Sequence, residues 1–147
     1  MTRGIEISLN ASRPSDNASV TRFLIVDDCP DAGKILGLLL QRAGYQVEIT
    51  VDSTQCLPLL ESFKPDVLLL DIAMPGVSGY TLAKQIRARP EFDRLIIIAV
   101  TGYADPQHTQ WSLDAGCDRH LPKPVDIASL ELAIAGVAEK RLRSVCD

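Results

Sequence analysis

Five polar residues that follow apolar runs have side chains suited to phosphoryl chemistry. They are Asp27, Asp28, Asp71, Thr101 and Lys123. Carboxylate oxygens are ligands that Mg²⁺ prefers, and the ion often holds phosphate oxygens as well. A carboxylate can also act as a nucleophile, while a lysine and a hydroxyl can bind phosphoryl oxygens. These residue types therefore predict a metal-assisted phosphoryl-transfer site, provided that the fold brings them together.

The residues before Asp71 and Thr101 predict buried strands. Residues 67–70 and 95–100 are apolar without polar alternation, which is typical of parallel strands covered by helices on both faces. In open α/β sheets the ligand crevice lies outside the carboxyl ends of the strands. Taken alone, Asp71 could equally well be a strand-ending or helix-capping aspartate. The four other polar residues favour the functional interpretation.

Strands and helices are predicted to alternate along the chain. We predict strands at residues 22–26, 46–51, 67–70, 95–100 and 119–121, and helices at residues 30–43, 53–62, 78–89, 106–115 and 127–143. Pro58 is expected to kink the second helix because it lacks an N–H. Gly33 and Gly37 could let the first helix pack closely on the sheet. Strict alternation implies a parallel sheet with right-handed crossovers, so the five polar residues fall at one edge of it.

The length of 147 residues predicts one domain with a substantial core. We expect this domain to span residues 21–143. A flexible leader is expected at residues 1–20, in which Ile5, Ile7 and Leu9 could form a short strand, and a tail at residues 144–147.

Composition excludes several classes of protein. The formal net charge of −4 disfavours a general nucleic-acid binder, which would carry a basic face. No apolar run approaches the roughly 20 residues that span a bilayer, and no secretory signal is evident, so we expect a cytoplasmic protein. The cysteines lack the spacing of a zinc site and are expected to be free thiols; they are Cys29, Cys56, Cys117 and Cys146.

Together these residues resemble the receiver domain of two-component response regulators. The resemblance covers about residues 21–143 and rests on four short motifs: Asp27-Asp28, Asp71-Ile72-Ala73-Met74-Pro75-Gly76, Thr101-Gly102 and Lys123-Pro124. It implies a flavodoxin-like, doubly wound (βα)5 fold, with a five-stranded parallel sheet in the order 2-1-3-4-5.

The resemblance also implies a phosphoacceptor and a metal site. Asp71 would take a phosphoryl group from a sensor histidine kinase or a histidine phosphotransfer protein. Asp28, Asp71 and the backbone carbonyl of Ala73 would bind Mg²⁺, and Asp27 would act mostly through water. The chain would catalyse only its own phosphorylation and dephosphorylation.

The remaining motif residues imply a conformational response. Thr101 and Lys123 would contact the phosphoryl group, and the Lys123-Pro124 bond would be cis. The family usually has Tyr or Phe at the switch position, where this chain has His120. A histidine there could make the switch pH-sensitive, or it could simply replace one planar ring by another. It also resembles receiver domains of hybrid histidine kinases, so the chain could be such a domain or a stand-alone regulator.

Three functions are considered for a chain with these residues. The first is a receiver that signals by contact with an effector protein, with no direct DNA binding, no membrane insertion and no attached output domain. Homodimerisation through the fourth helix, fifth strand and fifth helix is plausible, and Trp111 could mark a partner surface or be a packing residue. The second is a Mg²⁺-dependent phosphatase with an aspartyl nucleophile; Ala73 argues against it, since such enzymes generally have an acid there. The third is an interaction module that is not phosphorylated.

Overall fold

A computed structural model describes residues 21–74, 78–102 and 106–146, with side chains described as far as residue 142. The strands are β1 (Arg22–Val26), β2 (Gln46–Thr50), β3 (Val67–Asp71), β4 (Ile96–Thr101) and β5 (Arg119–Pro122). The helices are α1 (Pro30–Arg42), α2 (Cys56–Phe63), α3 (Gly79–Arg87), α4 (Pro106–Asp114) and α5 (Ile127–Cys146). No helix within the described ranges is long and apolar enough to cross a membrane. The predicted leader, with its short strand, lies outside the described residues.

The five strands form one parallel sheet in the order β2-β1-β3-β4-β5, which confirms the predicted order 2-1-3-4-5. Val26 of β1 is level with Leu70 of β3, and Asp71 is level with Val100 of β4. Asp27 follows Val26, so this register sets it beside Asp71. The carboxyl ends of the central strands therefore meet where the sequence has its acids.

The core lies on both faces of the sheet, because successive strand residues point to opposite faces. With α2 and α3, one face buries Leu24, Val26, Leu68, Leu70, Ile97, Ala99, Leu60, Leu82, Ala83 and Ile86. With α1 and α5, the other buries Phe23, Ile25, Val67, Leu69, Ile96, Ile98, Leu40, Leu130, Ile134 and Val137. Burial on both faces explains why β3 and β4 lack polar alternation.

Two glycines let α1 approach the edge strand β2. A Cβ atom added at Gly37 would lie 2.7 Å from the Cδ1 atom of Ile49, and one at Gly33 would lie 3.1 Å from its Cγ2 atom. Larger side chains at these positions would push the helix away from the sheet. The prediction that the glycines allow close packing is confirmed.

The second helix differs from the prediction. Residues Ser53–Gln55 form a separate 3₁₀ turn, in which the Asp52 carboxylate accepts the N–H of Thr54 at 2.9 Å. The α-helix starts only at Cys56. Pro58 then lies in the first turn of α2, where backbone N–H groups have no acceptor within the helix. The expectation of one helix kinked at Pro58 was therefore wrong.

An arginine network closes the amino ends of β4 and β5. Asp118 accepts the N–H of Ile97 at 2.9 Å and pairs with Arg87 at 2.8 Å and with Arg141 at 3.5 Å. Arg87 also donates hydrogen bonds of 2.8 to 2.9 Å to three backbone carbonyls, those of Phe92, Leu95 and Gly116. One guanidinium group thus satisfies the backbone of two loops and the carboxylate between them.

Candidate functional site

Three carboxylates converge at the carboxyl ends of β1 and β3. Asp27 and Asp28 follow β1, and Asp71 is the last residue of β3. Each offers an oxygen, and these oxygens lie within 4.8 Å of one another. Asp27 and Asp71 are buried, with 6% and 4% of their surface exposed, whereas Asp28 is exposed. The sheet register thus turns two acids on separate strands into one cluster.

Backbone groups hold one oxygen of each buried carboxylate. The N–H of Cys29 donates to Oδ1 of Asp27 at 2.9 Å, and the N–H of Ala73 donates to Oδ1 of Asp71 at 3.2 Å. In both cases the donor lies two residues after the acid, as in an Asx turn. The loops after β1 and β3 therefore orient their acids in the same way.

Lys123 lies against the other oxygen of each buried carboxylate. Its Nζ atom is 3.1 Å from Oδ2 of Asp27 and 3.6 Å from Oδ2 of Asp71. Burial alone would lower the pKa of Lys123, but hydrogen bonds and charges from the two acids outweigh burial and raise it. The ammonium group therefore stays charged and offsets part of the acidic charge.

The charge of the cluster remains unbalanced. Burial raises the pKa of Asp71 to about 7, and the hydrogen bond with Asp28 and the charge of Asp27 act in the same direction. The charge of Lys123 and the N–H of Ala73 lower it only in part. Three carboxylates face one ammonium group, so full ionisation leaves two negative charges uncompensated. A divalent cation would neutralise them, and the all-oxygen donor set fits Mg²⁺.

Thr101 and the end of β5 complete this edge of the sheet. Thr101 is fully buried at the end of β4 and is level with Pro122. The N–H of Lys123 donates to the carbonyl oxygen of Thr101 at 2.9 Å. The Lys123-Pro124 bond is cis. These contacts bring the predicted lysine and threonine to the edge that carries the acids.

His120 lies outside the carboxylate cluster. It is a half-buried residue of β5, level with Ala99 of β4. Its Nδ1 atom is 3.2 Å from the hydroxyl oxygen of Thr109 on α4. The predicted switch residue thus joins the strand that leads to Lys123 to a surface helix.

Gly79 is a residue of the site whose importance the sequence analysis missed. A Cβ atom there would lie 2.7 Å from the carbonyl oxygen of Asp71 and 2.7 Å from Cα of Ile72. The hydroxyl of Ser78 caps the helix by accepting the N–H of Tyr80 at 3.0 Å. The α3 helix can therefore begin directly against the backbone of the central acid only because residue 79 has no side chain. A glycine directly after a helix cap, eight residues beyond the acid, was the available signal.

The sequence model of the response regulator receiver domain matches residues 23–135. This match covers most of the chain and includes the carboxylates, Thr101 and Lys123. The chain belongs to the receiver domain family of two-component response regulators. It is accordingly a signalling module of the phosphoacceptor class rather than a conventional enzyme.

Relatives support the same family. An uncharacterised 14.6 kDa protein of Leptolyngbya boryana is 37% identical over 104 residues, which cover 71% of this chain and 79% of that protein. The response regulator MprA of Mycobacterium avium is 35% identical over 109 residues, 74% of this chain and 47% of MprA. The chain thus spans about half the length of this curated relative.

Solved structures of the family share the fold. A CheY-like receiver domain protein of Methanospirillum hungatei has a TM-score of 0.71 and 30% identity, and the match covers 85% of this chain and 98% of that one. The chemotaxis protein CheY4 of Vibrio cholerae has a TM-score of 0.73 and 26% identity, over 80% of this chain and 98% of CheY4. The flavodoxin-like fold predicted from the sequence is confirmed.

Proposed function

We propose that this chain accepts a phosphoryl group on Asp71, with Mg²⁺ bound by Asp28, Asp71 and the backbone carbonyl of Ala73, and with Asp27 acting through water. The observation that carries the proposal is the cluster itself: three carboxylate oxygens within 4.8 Å, with the Lys123 ammonium against two of the acids. Clustered carboxylates repel one another and destabilise the folded state, so such a cluster favours a site where a bound cation offsets the repulsion during phosphoryl transfer.

The reaction is a transfer between two groups. The bond between phosphorus and a histidine nitrogen of the donor protein breaks, and a bond forms between phosphorus and a carboxylate oxygen of Asp71. Because burial raises the pKa of Asp71 to about 7, a fraction of this carboxyl is protonated near neutral pH and cannot attack. A bound Mg²⁺ supplies the positive charge that favours the ionised nucleophile and neutralises the phosphoryl oxygens.

Lys123 and Thr101 would respond to the phosphoryl group. Before transfer, the Lys123 ammonium is shared between Asp27 and Asp71. Phosphorylation adds negative charge and acceptor oxygens beside the ammonium group. The ammonium would then give up an ion pair with one carboxylate and form one with a phosphoryl oxygen. The Thr101 hydroxyl supplies a second donor. Thr101 ends β4 and Lys123 directly follows β5, so their movement would change that part of the fold.

The proposed partners are a sensor histidine kinase or a histidine phosphotransfer protein upstream and an effector protein downstream, engaged by the receiver at residues 21–143. The surface of α4 and α5 offers exposed apolar side chains for an effector or a second copy of the chain, namely Trp111, Leu113 and Leu132. Trp111 forms a T-shaped ring pair with Tyr80, with centroids 6.1 Å apart, and its remaining 44% exposure leaves surface that a partner would contact.

Phosphorylation is tested with phosphoramidate, a small phosphoryl donor, in the presence of Mg²⁺. We expect one hydroxylamine-sensitive acyl phosphate on the wild-type chain, located by mass spectrometry of its peptides. Asp71→Asn should abolish it, whereas Asp31→Asn should not, since Asp31 is an exposed acid in the first turn of α1 and lies outside the cluster. Labelling that persists in Asp71→Asn would refute the assignment of Asp71.

The alternatives give different outcomes in the same assay. A phosphatase would release phosphate from an external ester over many turnovers, which Ala73 disfavours because its side chain cannot act as a general acid. An unphosphorylated interaction module would show neither labelling nor Mg²⁺ binding.

A further inference from the structure

The α1 helix has an apolar side that faces away from the sheet. Its inner side packs on the sheet through two glycines and Leu40. On the opposite side, Ile35, Leu38 and Leu39 expose 61%, 57% and 41% of their surface. A surface helix of a globular protein normally places polar residues on that side. Clustered apolar side chains at the surface are typical of an interaction site.

The α3 helix, on the other face of the same sheet, has the expected polar outer side. Every exposed residue of α3 is polar, namely Thr81, Lys84 and Gln85, and its buried residues face the core. Both helices lie against the sheet, so covering a strand does not by itself require an apolar outer side. The part of the chain that the structure describes therefore leaves the outer side of α1 without a cover.

Two charges of opposite sign stand at the ends of this apolar side. Asp31 lies in the first turn of α1 and Arg42 in the last turn. Both are exposed, and neither side chain forms an ion pair or hydrogen bond with any residue that the structure describes. Asp31, Ile35, Leu38 and Arg42 follow one another at intervals of four, three and four residues, which places them in one row along the helix. The intervals are the same when the row is followed from either end.

A second α1 helix in the reverse direction would match this row. Antiparallel packing about a two-fold axis sets Ile35 against Leu38 of the second copy and Asp31 against Arg42 of the second copy. The two-fold axis repeats each contact, so one surface is complementary to itself, as a symmetric dimer requires. Parallel packing would instead set Asp31 against its own equivalent and Arg42 against its own, which brings like charges together.

We propose that the outer side of α1, formed by Asp31, Ile35, Leu38, Leu39 and Arg42, binds a second copy of this chain as an antiparallel, two-fold symmetric dimer. This surface differs from that of α4 and α5, and the proposal does not depend on phosphorylation of Asp71. Three apolar side chains from each copy make a small interface, so we expect a weak dimer with a dissociation constant in the micromolar range.

The first test is sedimentation velocity of the full chain, without metal or phosphoryl donor, from micromolar to millimolar concentration. Leu38→Gln should raise the dissociation constant at least about tenfold, because the two-fold axis makes each substitution act twice. Leu38 is exposed, so the monomer should keep its fold, as checked by circular dichroism. Leu132→Gln is the matched control, since Leu132 is a 75% exposed leucine on α5, and it should dimerise like the wild type.

Two outcomes of this measurement would overturn the proposal. One is a wild-type chain that stays monomeric over the whole concentration range, which would leave the outer side of α1 to a different protein. The other is a dimer that survives Leu38→Gln and is lost in Leu132→Gln, which would place the interface on α5.

The second test reverses the charges at the ends of the row. Asp31→Arg and Arg42→Asp each put like charges at both symmetry-related positions of an antiparallel dimer, so each should weaken self-association about five- to thirtyfold. In an equimolar mixture of the two variants, every charge of one chain faces the opposite charge of the other. The mixture should therefore dimerise about as tightly as the wild type, although neither variant does so alone.

The variant that carries both substitutions controls for the net charge. It exchanges the two charges within one chain and restores both ion pairs, so it should also dimerise like the wild type. If Asp31→Arg alone associates as tightly as the wild type, the helices do not pack antiparallel. If the mixture associates no more tightly than its components, the two charges do not face each other. Either result would overturn the proposed dimer.

Discussion

The two ends of the sheet differ in how completely their charged side chains are paired. At the amino ends of β4 and β5, one carboxylate, Asp118, meets two guanidinium groups and a backbone N–H. At the carboxyl ends of β1 and β3, three carboxylates cluster beside one lysine that pairs with two of them, and burial raises the pKa of Asp71 to about 7. One edge of the sheet therefore carries a network in which the carboxylate is fully paired, and the opposite edge carries a cluster with excess negative charge.

This difference predicts that the residues at the amino end stabilise the fold, whereas those at the carboxyl end serve the proposed metal binding and phosphorylation. Charges paired in their own network gain nothing from a ligand, whereas a cluster with excess negative charge is stabilised by whatever cation binds it. We therefore expect substitutions at the amino end to lower stability with little effect on phosphorylation. Substitution of Asp71 at the carboxyl end should abolish phosphorylation while leaving the metal-free fold intact or more stable.

The largest effect on stability is expected from Arg87→Met. The substitution leaves Asp118 with a weaker partner and removes donors from three backbone carbonyls. We expect the free energy of unfolding to fall by about 2–4 kcal/mol, measured by urea denaturation. Lys84→Met on the same helix is the control, since Lys84 is exposed, and should change stability little. If Arg87→Met folds but loses phosphorylation, the amino-end network does more than stabilise the fold, and the contrast between the two ends is wrong.

Asp71→Asn should stabilise the metal-free chain. It removes a buried charge that its surroundings disfavour, so we expect the free energy of unfolding at pH 7.5 to rise by about 1–3 kcal/mol. Asp31→Asn should not produce this gain. Added Mg²⁺ should stabilise the wild type and reverse the ranking, because the cation needs the carboxylate that the variant lacks. Equal free energies of unfolding for the two chains without metal would mean that the charge of Asp71 does not destabilise the folded state.

The pH dependence of stability follows from the same pKa. Folding raises the pKa of Asp71 from an ordinary 3.8 to about 7, so the folded state binds more protons between these values. Stability from this residue is therefore greatest at low pH and declines as pH rises from about 4 to about 7. The difference between wild type and Asp71→Asn, measured by thermal unfolding without metal, should grow over that interval. A difference that is constant with pH would contradict the raised pKa.

The smallest effect is expected for Mg²⁺ affinity in Lys123→Met. The ammonium competes with the cation for Asp27 and Asp71, so its removal should tighten Mg²⁺ binding, by less than about fivefold since Lys123 is part-exposed. We expect beryllofluoride, a phosphoryl mimic, to change the fluorescence of Trp111 in the wild type, and this response should disappear in Lys123→Met. A response that survives would reduce Lys123 to a charge-balancing surface residue.

The sequence predicts one end of the sheet much better than the other. Asp71 and Thr101 each end an apolar strand, so their location follows from local pattern and the general rule for open sheets. The network at the amino end was not predicted, because Arg87 and Asp118 lie 31 residues apart and nothing local marks them as partners. The same holds for Thr109 and His120, whose contact depends on how α4 packs on β5.

Two errors of local interpretation have physical causes. Pro58 was expected to kink a helix, but the helix starts at Cys56. Pro58 therefore lies in the first turn, where an N–H would have no acceptor within the helix. Gly79 was identified only as part of a helix start. Its close approach to the carbonyl of Asp71 follows from where α3 crosses the sheet, which the periodicity of a helix does not specify.

The backbone N–H groups of Cys29 and Ala73 have a consequence for the rate of transfer. Each fixes one oxygen of a carboxylate, so the rotation of Asp27 and Asp71 is restricted as soon as the chain folds. The entropy of orienting the nucleophile is therefore lost during folding and not during the encounter with a donor. If Asp71 is the acceptor as proposed, it is a preorganised reactant, and the donor would need only to deliver its phosphoryl group in line.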